Sequence, residues 1–301
     1  MAVGHFLTAK KNKDDEYYTL YEDVEKDMEW YREYFSGKTV YCPCDDYRTS
    51  AFVRYFKRNF HTLRLKALLA SNYNIGSGAY KYKYDGTFEI VYPTPTGDFN
   101  SQEIEPMLTH CDIIVTNPPF SKLVEFFDRI MPYQKDVLVM APLTSVGYRD
   151  IFQYIKNDSL RVDIKGQRYF DTPSGNGKCF GNIVYLTTLK PERYTLELKE
   201  TYSPEKYPKY DNYDAINVDR CKDIPIDYDG VMGVPITFLG HYNSEQFEIV
   251  GLAQGSEEVA GEFYKGIVDG IDYDGGRARP YVNNKPIYSR ILIRRRNSTL
   301  S

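Results

Sequence analysis

The feature that most restricts how this chain can fold is an alternation, through its first 190 residues, of short apolar runs with amphipathic helical segments. Strand-like runs occupy Thr39 to Cys42, Lys66 to Ala70, Ile113 to Val115, Asp136 to Met140, Leu160 to Ile164 and Asn182 to Leu186. Between or before them, Tyr21 to Phe35, Thr49 to Asn59, Gln102 to Leu108, Lys122 to Ile130 and Tyr148 to Lys156 carry helical periodicity, the first closing at Ser36-Gly37, a good helix stop. Unbroken β-branched runs suit strands buried on both faces, so the expected class is α/β with a largely parallel sheet, whose ligands lie at the carboxyl ends of the strands. Residues 76 to 92 break the pattern, alternating Tyr and Lys around Asp85-Gly86; they read as an inserted β-hairpin, a solvated sheet edge in preference to a DNA-facing surface.

Composition narrows the class. A chain of 301 residues can bury a substantial core, and 42% apolar residues with a mean hydropathy of -0.53 fit a soluble protein. No apolar run reaches membrane-spanning length and Met1 to Lys13 lacks a secretory core, so a cytoplasmic location without a membrane partner is expected. Five cysteines, an odd number with three on or beside strands, suit reduced thiols. Cys42-x-Cys44 lacks a second paired spacing, so no metal is expected. A net charge of -4 does not advertise a nucleic-acid partner, but the distribution of charge matters more than its sum.

The chemistry concentrates where the run Ile113 to Val115 ends in Asn117-Pro118-Pro119-Phe120. Pro118 biases Asn117 towards an extended backbone, and two prolines stiffen the turn, so the Asn117 amide and the Pro118 carbonyl can serve as fixed acceptors. Two acceptors and a ring suit a planar amine. An adenine amine is a poor nucleophile because its lone pair is delocalised. Holding both N–H bonds lets the nitrogen pyramidalise towards an electrophile, with Phe120 stacked on the base and no general base needed. Asn-Pro-Pro alone is as readily a plain turn; the strand before it and the ring after it favour the functional reading.

This motif resembles the catalytic motif of S-adenosylmethionine-dependent, adenine-specific (N6) DNA methyltransferases, and further stretches are similar to the EcoRI-type family. The resemblance implies a Rossmann-like methyltransferase fold and S-adenosyl-L-methionine as methyl donor, with S-adenosyl-L-homocysteine as product. It also implies a flipped adenine in double-stranded DNA as target, and a restriction-modification or phage-protection setting. It implies that Tyr17, Tyr18 and Thr19, within Asp-Glu-Tyr-Tyr-Thr, cover the methionine end of the cofactor. The loop after the first sheet strand departs from the usual methyltransferase pattern in having no glycine; its Cys42-Pro43-Cys44-Asp45-Asp46 looks like the EcoRI-type variant. Asp45 and Asp46 are candidates for the cofactor's ammonium and ribose hydroxyls, or Asp46 a plain helix cap. Asp98 and Phe99, one helix before Asn117, would meet the cofactor's adenine. No acid ends the second strand to hold ribose; Ser71, Asn72 and Tyr73 stand there instead.

After Pro191 the chain becomes rich in Tyr, Pro and Asp. Lys209 to Val218 and Ile224 to Leu239 look very much like the C-terminal part of EcoRI-type enzymes, which suggests residues 1–190 as catalytic domain and 191–301 as target-recognition region. Beyond Asp274 there are no acids but seven basic residues, Arg277, Arg279, Lys285, Arg290, Arg294, Arg295 and Arg296, an electrostatic footprint for DNA phosphate. The basic arm Lys10 to Lys13 could touch phosphate or be a solvated terminus. A monomer is the expected state. Methylation of RNA adenine or protein glutamine, or a non-catalytic DNA-binding protein of the same fold, are the competing readings.

Overall fold

In the computed structural model, residues 18–73, 78–171, 178–190, 195–254, 260–266, 268 and 278–296 are described, and they form two compact units. The first comprises 1–145 with 163–190; the second comprises 146–162 with 191–301.

The first unit is built on β1 (Tyr18–Thr19), α1 (Tyr21–Met28), β2 (Thr39–Cys42), α2 (Ala51–Arg58), β3 (Ala67–Asn72), β4 (Ala79–Tyr84) and β5 (Glu89–Thr94). There follow α3 (Glu105–His110), β6 (Ile113–Thr116), α4 (Leu123–Ile130) and β7 (Asp136–Pro142); after α5 (Arg149–Lys156) of the second unit come β8 (Arg161–Asp171) and β9 (Lys178–Thr187). One nine-stranded sheet runs in the order β1-β8-β9-β7-β6-β2-β3-β4-β5. Its centre, β7-β6-β2-β3, is parallel; β3-β4, β4-β5, β7-β9 and β1-β8 pair antiparallel. The expected α/β methyltransferase class therefore holds, with the parallel pairing concentrated in the middle of a mixed sheet. β2, β3 and β6 are buried throughout, which explains their continuous apolar runs. α1 continues as a 3-10 turn to Phe35 and stops at Gly37, whose φ of +73° suits glycine. Val24, Met28, Tyr31 and Phe35 pack with Phe52 and Phe56 of α2 against the sheet. The Tyr-Lys hairpin is β4-β5, and it does form a sheet edge, with Ile90, Val91 and Tyr92 of β5 exposed.

The second unit holds α5, β10 (Ile216–Asn217), β11 (Met232–Pro235), β12 (Phe247–Ala253), the hairpin strands β13 (Tyr281–Val282) and β14 (Lys285–Pro286), and β15 (Arg290–Arg295). α5 belongs to this unit, and Lys156 at its end donates to the Val250 carbonyl of β12, 3.1 Å away. A four-stranded sheet runs β10-β11-β15-β12, with β10 and β11 parallel. The two unusual stretches of sequence each supply one of that pair. Tyr210 locks them: its hydroxyl donates to Asn217 Oδ1 (2.9 Å) and the Gly233 carbonyl (3.2 Å). A Cβ at Gly233 would lie 2.1 Å from that hydroxyl, so β11 requires glycine there. No helix among the described residues is long and apolar enough to cross a membrane.

Candidate active site

Strand β6 delivers the catalytic candidates: Thr116 is its last residue, and Asn117, Pro118, Pro119 and Phe120 leave the sheet at its carboxyl end. Asn117 Nδ2 donates to Thr19 Oγ1 on β1, 3.2 Å away, and that hydroxyl in turn donates to Met140 Sδ on β7 at 3.7 Å. With its donor end directed at Thr19, the amide presents Oδ1 on its other side, as an acceptor role requires. Pro118 is buried, and Phe120 is half-buried against the core.

Beside this tip lies the loop after β2. Asp45, 7% exposed, accepts from Thr116 Oγ1 (2.6 Å) and Ser50 Oγ (2.6 Å), while Cys44 N–H donates to Thr116 Oγ1 (3.3 Å). Thr116 therefore ties the loop to the residue that precedes Asn117. Burial pushes the Asp45 carboxyl up to about 6 against the pull of the Ser50 and Thr116 hydrogen bonds. Because that lies above the unfolded value, this group opposes folding progressively as pH rises from about 4 to 6 and adds no further slope above. Without glycines, the loop is held by side chains: Ser71 Oγ, paired with Tyr41 at 2.7 Å, donates to the Pro43 carbonyl at 3.1 Å, and Asp45 N–H donates to the Ser71 carbonyl at 3.0 Å. Ser71 is thus a buried brace. Cys42 is buried, and desolvation holds its thiol well above the usual range.

Asp46 faces different partners. Arg48 Nε donates to its Oδ1 at 2.9 Å, and Asn72 Nδ2 reaches Oδ2 at 3.4 Å. Burial alone would raise this carboxyl, but the side-chain and backbone hydrogen bonds from Arg48 hold it below its ordinary value. Its backbone carbonyl, 2.8 Å from Ser50 N, opens the turn into α2, whose side-chain cap is Ser50. Arg48 also lies 4.8 Å from the ring centre of Tyr80.

The segment bearing Asp98 is pressed onto the end of β3. Gly97 has a φ of +60°, and a Cβ there would stand 2.0 Å from the Asn72 carbonyl oxygen. Glu103 Oε1 gathers Gly97 N (2.7 Å), Thr96 N (3.3 Å) and Thr96 Oγ1 (3.1 Å). Asp98 is half-buried and near enough to raise the Cys44 thiol further, after burial and Asp45, while Lys122 opposes them. Phe99 is 5% exposed and packs edge-on against Phe126, ring centres 5.3 Å apart, with Lys122 Nζ 5.8 Å from its centre. Tyr17, the Tyr18 side chain, Arg277 and the basic arm Lys10 to Lys13 lie outside the described residues.

Thr116, Ser50 and Glu103 hold this site together, and none stands out in the sequence. A hydroxyl closing a buried apolar strand was the available signal for Thr116, since a buried polar group needs a partner.

The C-terminal cations divide. Arg290, expected at phosphate, is 9% exposed and turned inward: its Nε is 3.2 Å from Asn217 Oδ1 and its Nη2 3.5 Å from Asp219 Oδ1. On a strand in the middle of a sheet it serves as an internal strut, which corrects that expectation. Arg294 pairs loosely with Glu248 at 3.9 Å, and Arg295 donates to the Ile226 carbonyl. Arg279, Lys285 and Arg296 are exposed.

An α/β sheet with Asn-Pro-Pro-Phe at the tip of β6, beside the buried Asp45, is the arrangement that the resemblance to adenine methyltransferases implies. The profile of the family described as "Adenine-specific methyltransferase EcoRI" matches residues 5–296. Type II methyltransferase M.EcoRI of Escherichia coli is 38% identical over 291 residues, covering 83% of this chain and 89% of that protein. M.MgeORF184P of Mycoplasma genitalium and M.MpnI of Mycoplasma pneumoniae, also Type II methyltransferases, are 37% and 36% identical over 272 residues. Each alignment covers 82% of this chain and, respectively, 86% and 85% of the relative. The chain belongs to the EcoRI-type family of adenine-specific methyltransferases and is an enzyme of the DNA methyltransferase class.

Proposed function

We propose that the protein transfers a methyl group from S-adenosyl-L-methionine to N6 of an adenine flipped out of a specific site in double-stranded DNA. The observation that carries this reading is the continuous link Asp45–Thr116–Asn117–Thr19, which joins a buried carboxylate to the amide at the strand tip. The donor set suits that cofactor: Asp45 for its ammonium, Asp98 for its adenine amine, Phe99 bordering the ring and Thr19 beside the reacting end. Asp46, already engaged by Arg48, fits the ribose hydroxyls less directly. Bound there, S-adenosylmethionine supplies an electrophilic methyl group.

The chain's own residues do the rest. Asn117 Oδ1 and the Pro118 carbonyl accept the two N–H bonds of the adenine amine, Phe120 stacks on the base, and Thr19 keeps the amide from turning its donor end towards the substrate. No side chain has to take a proton before attack. Flipping costs a few kcal/mol, offset by contacts of the second unit with DNA. The 191–301 region is the target-recognition part, and a monomer modifying one strand per event, within a restriction-modification or phage-protection system, is the simplest arrangement. Isotope-labelled methyl donor offered with duplex DNA, RNA and protein separates this reading from its rivals: label in DNA adenine supports it, and label confined to RNA or protein sinks it.

The Asp45 carboxyl gives a pH signature. Its ionised form attracts a cation, so cofactor affinity should weaken up to about tenfold per pH unit as pH falls below about 6 and level off above. Thr116→Val, which removes one hydrogen bond to the carboxylate, should move the midpoint upward, and Asp45→Asn should flatten the profile. Calorimetric titrations from pH 5 to 8 read this; a flat wild-type profile would mean that Asp45 does not face the ammonium.

A further inference from the structure

We infer that the hairpin β13-β14 is a base-reading element that enters a groove of the target duplex, with Asn283 and Asn284 at its tip contacting base edges. This rests on the proposed action on duplex DNA and adds to it the reading surface. Val282 pairs with Lys285, so the loop is two residues long, and both Asn283 (φ +52°) and Asn284 (φ +58°) are left-handed. A two-residue turn of this kind needs positive φ at both positions. Glycine satisfies that demand more easily than asparagine, and the two exposed asparagines place amides at the apex.

The tip is held from below. The Asp211 carboxylate accepts the backbone N–H of Asn283 (3.1 Å) and of Asn284 (2.7 Å). Asn212, fully buried, accepts from Tyr281 N–H (3.0 Å) and donates to the Arg279 carbonyl (2.6 Å), and Tyr213 donates to the Ala278 carbonyl. Four consecutive residues, Tyr210 to Tyr213, thus lock β11 and cradle the hairpin, which accounts for that unusual stretch as a mount for a rigid ribbon. Such rigidity is what groove reading needs, since a mobile tip would lose binding free energy to ordering.

The chemistry around the tip fits DNA. Exposed Lys285 flanks the tip, and exposed Arg279 lies at the hairpin's base. Tyr288, which follows β14, is 85% exposed. A two-stranded ribbon fits the roughly 12 Å wide major groove, and an asparagine amide can bond an adenine edge in a bidentate manner. Cations on the flanks then meet phosphate and set the register.

The test uses the full-length enzyme with Asn283→Gly/Asn284→Gly, which keeps the turn and removes both amides. We expect kcat/KM discrimination between the mapped site and single-base variants of it to fall about ten- to a hundredfold at one or two positions. Cofactor affinity, thermal midpoint and affinity for unrelated duplex should stay the same. Lys285→Ala should weaken binding to every duplex equally and reduce the salt slope by about one. Asp211→Ala should lose discrimination as the glycine pair does, without itself touching DNA. Unchanged discrimination in the folded glycine variant, or a uniform loss of affinity without loss of discrimination, overturns base reading by the hairpin alone. A wild-type enzyme that methylates no DNA overturns the reading beneath it as well.

Discussion

Asn117→Ala should lose about a hundred- to a thousandfold or more in the rate of methyl transfer while binding its cofactor normally. The amide sits at the end of β6 with Nδ2 on Thr19, so its truncation removes an oriented acceptor and leaves Thr116, Asp45 and the loop after β2 intact. Single-turnover methylation of duplex DNA, with calorimetric binding of S-adenosylmethionine alongside, separates the two effects. Thr19→Val should slow transfer less, by about tenfold, because Asn117 keeps its place but loses the partner that sets its orientation. Loss of cofactor binding together with turnover in Asn117→Ala would assign Asn117 to the cofactor pocket instead.

The second large effect is expected at Gly97. An alanine there must hold φ near +60° and place its Cβ 2.0 Å from the Asn72 carbonyl oxygen, which belongs to the backbone at the end of β3 and cannot swing aside. The segment must lift, taking with it the hydrogen bonds of Gly97 and Thr96 to Glu103 and the position of Asp98. Losing about 3 kcal/mol, a reasonable magnitude for backbone strain combined with lost hydrogen bonds, lowers the melting temperature by about 6–12 °C. Cofactor affinity should fall as well. Thermal unfolding and cofactor titration measure both, and a midpoint within about 2 °C of wild type would mean that the loop yields freely.

The centre of the first unit was legible because strands buried on both faces cannot alternate, and so advertise themselves as apolar runs. The Asn-Pro-Pro-Phe tip was legible for a related reason, an abrupt change from β-branched residues to a stiff polar turn. What joins that tip to the loop after β2 was not. The bridge runs from Thr116 to Asp45 across 71 positions of sequence, and no local pattern pairs the two. The antiparallel pairing of β9 was hidden too, since its run Ile183 to Leu186 is as apolar as the parallel strands beside it. In the second unit, order comes from side chains bonded to distant backbone, as Asn212 is to Arg279 and Tyr281, and such pairings leave no periodicity. Arg290 shows the converse: among a run of cations it looked like a phosphate contact, yet its partners Asn217 and Asp219 lie 73 and 71 residues away.

The proposed activity is transfer of a methyl group to N6 of adenine within a defined duplex sequence. Incubating duplex plasmid DNA with the purified protein and S-adenosylmethionine, then mapping methyladenine at single-base resolution, tests it most directly. N6-methyladenine is expected at one recurring short sequence and nowhere else, abolished by Asn117→Ala. Methyl groups on cytosine, methyladenine scattered without a common sequence, or DNA left unmodified while RNA or protein is labelled would contradict it.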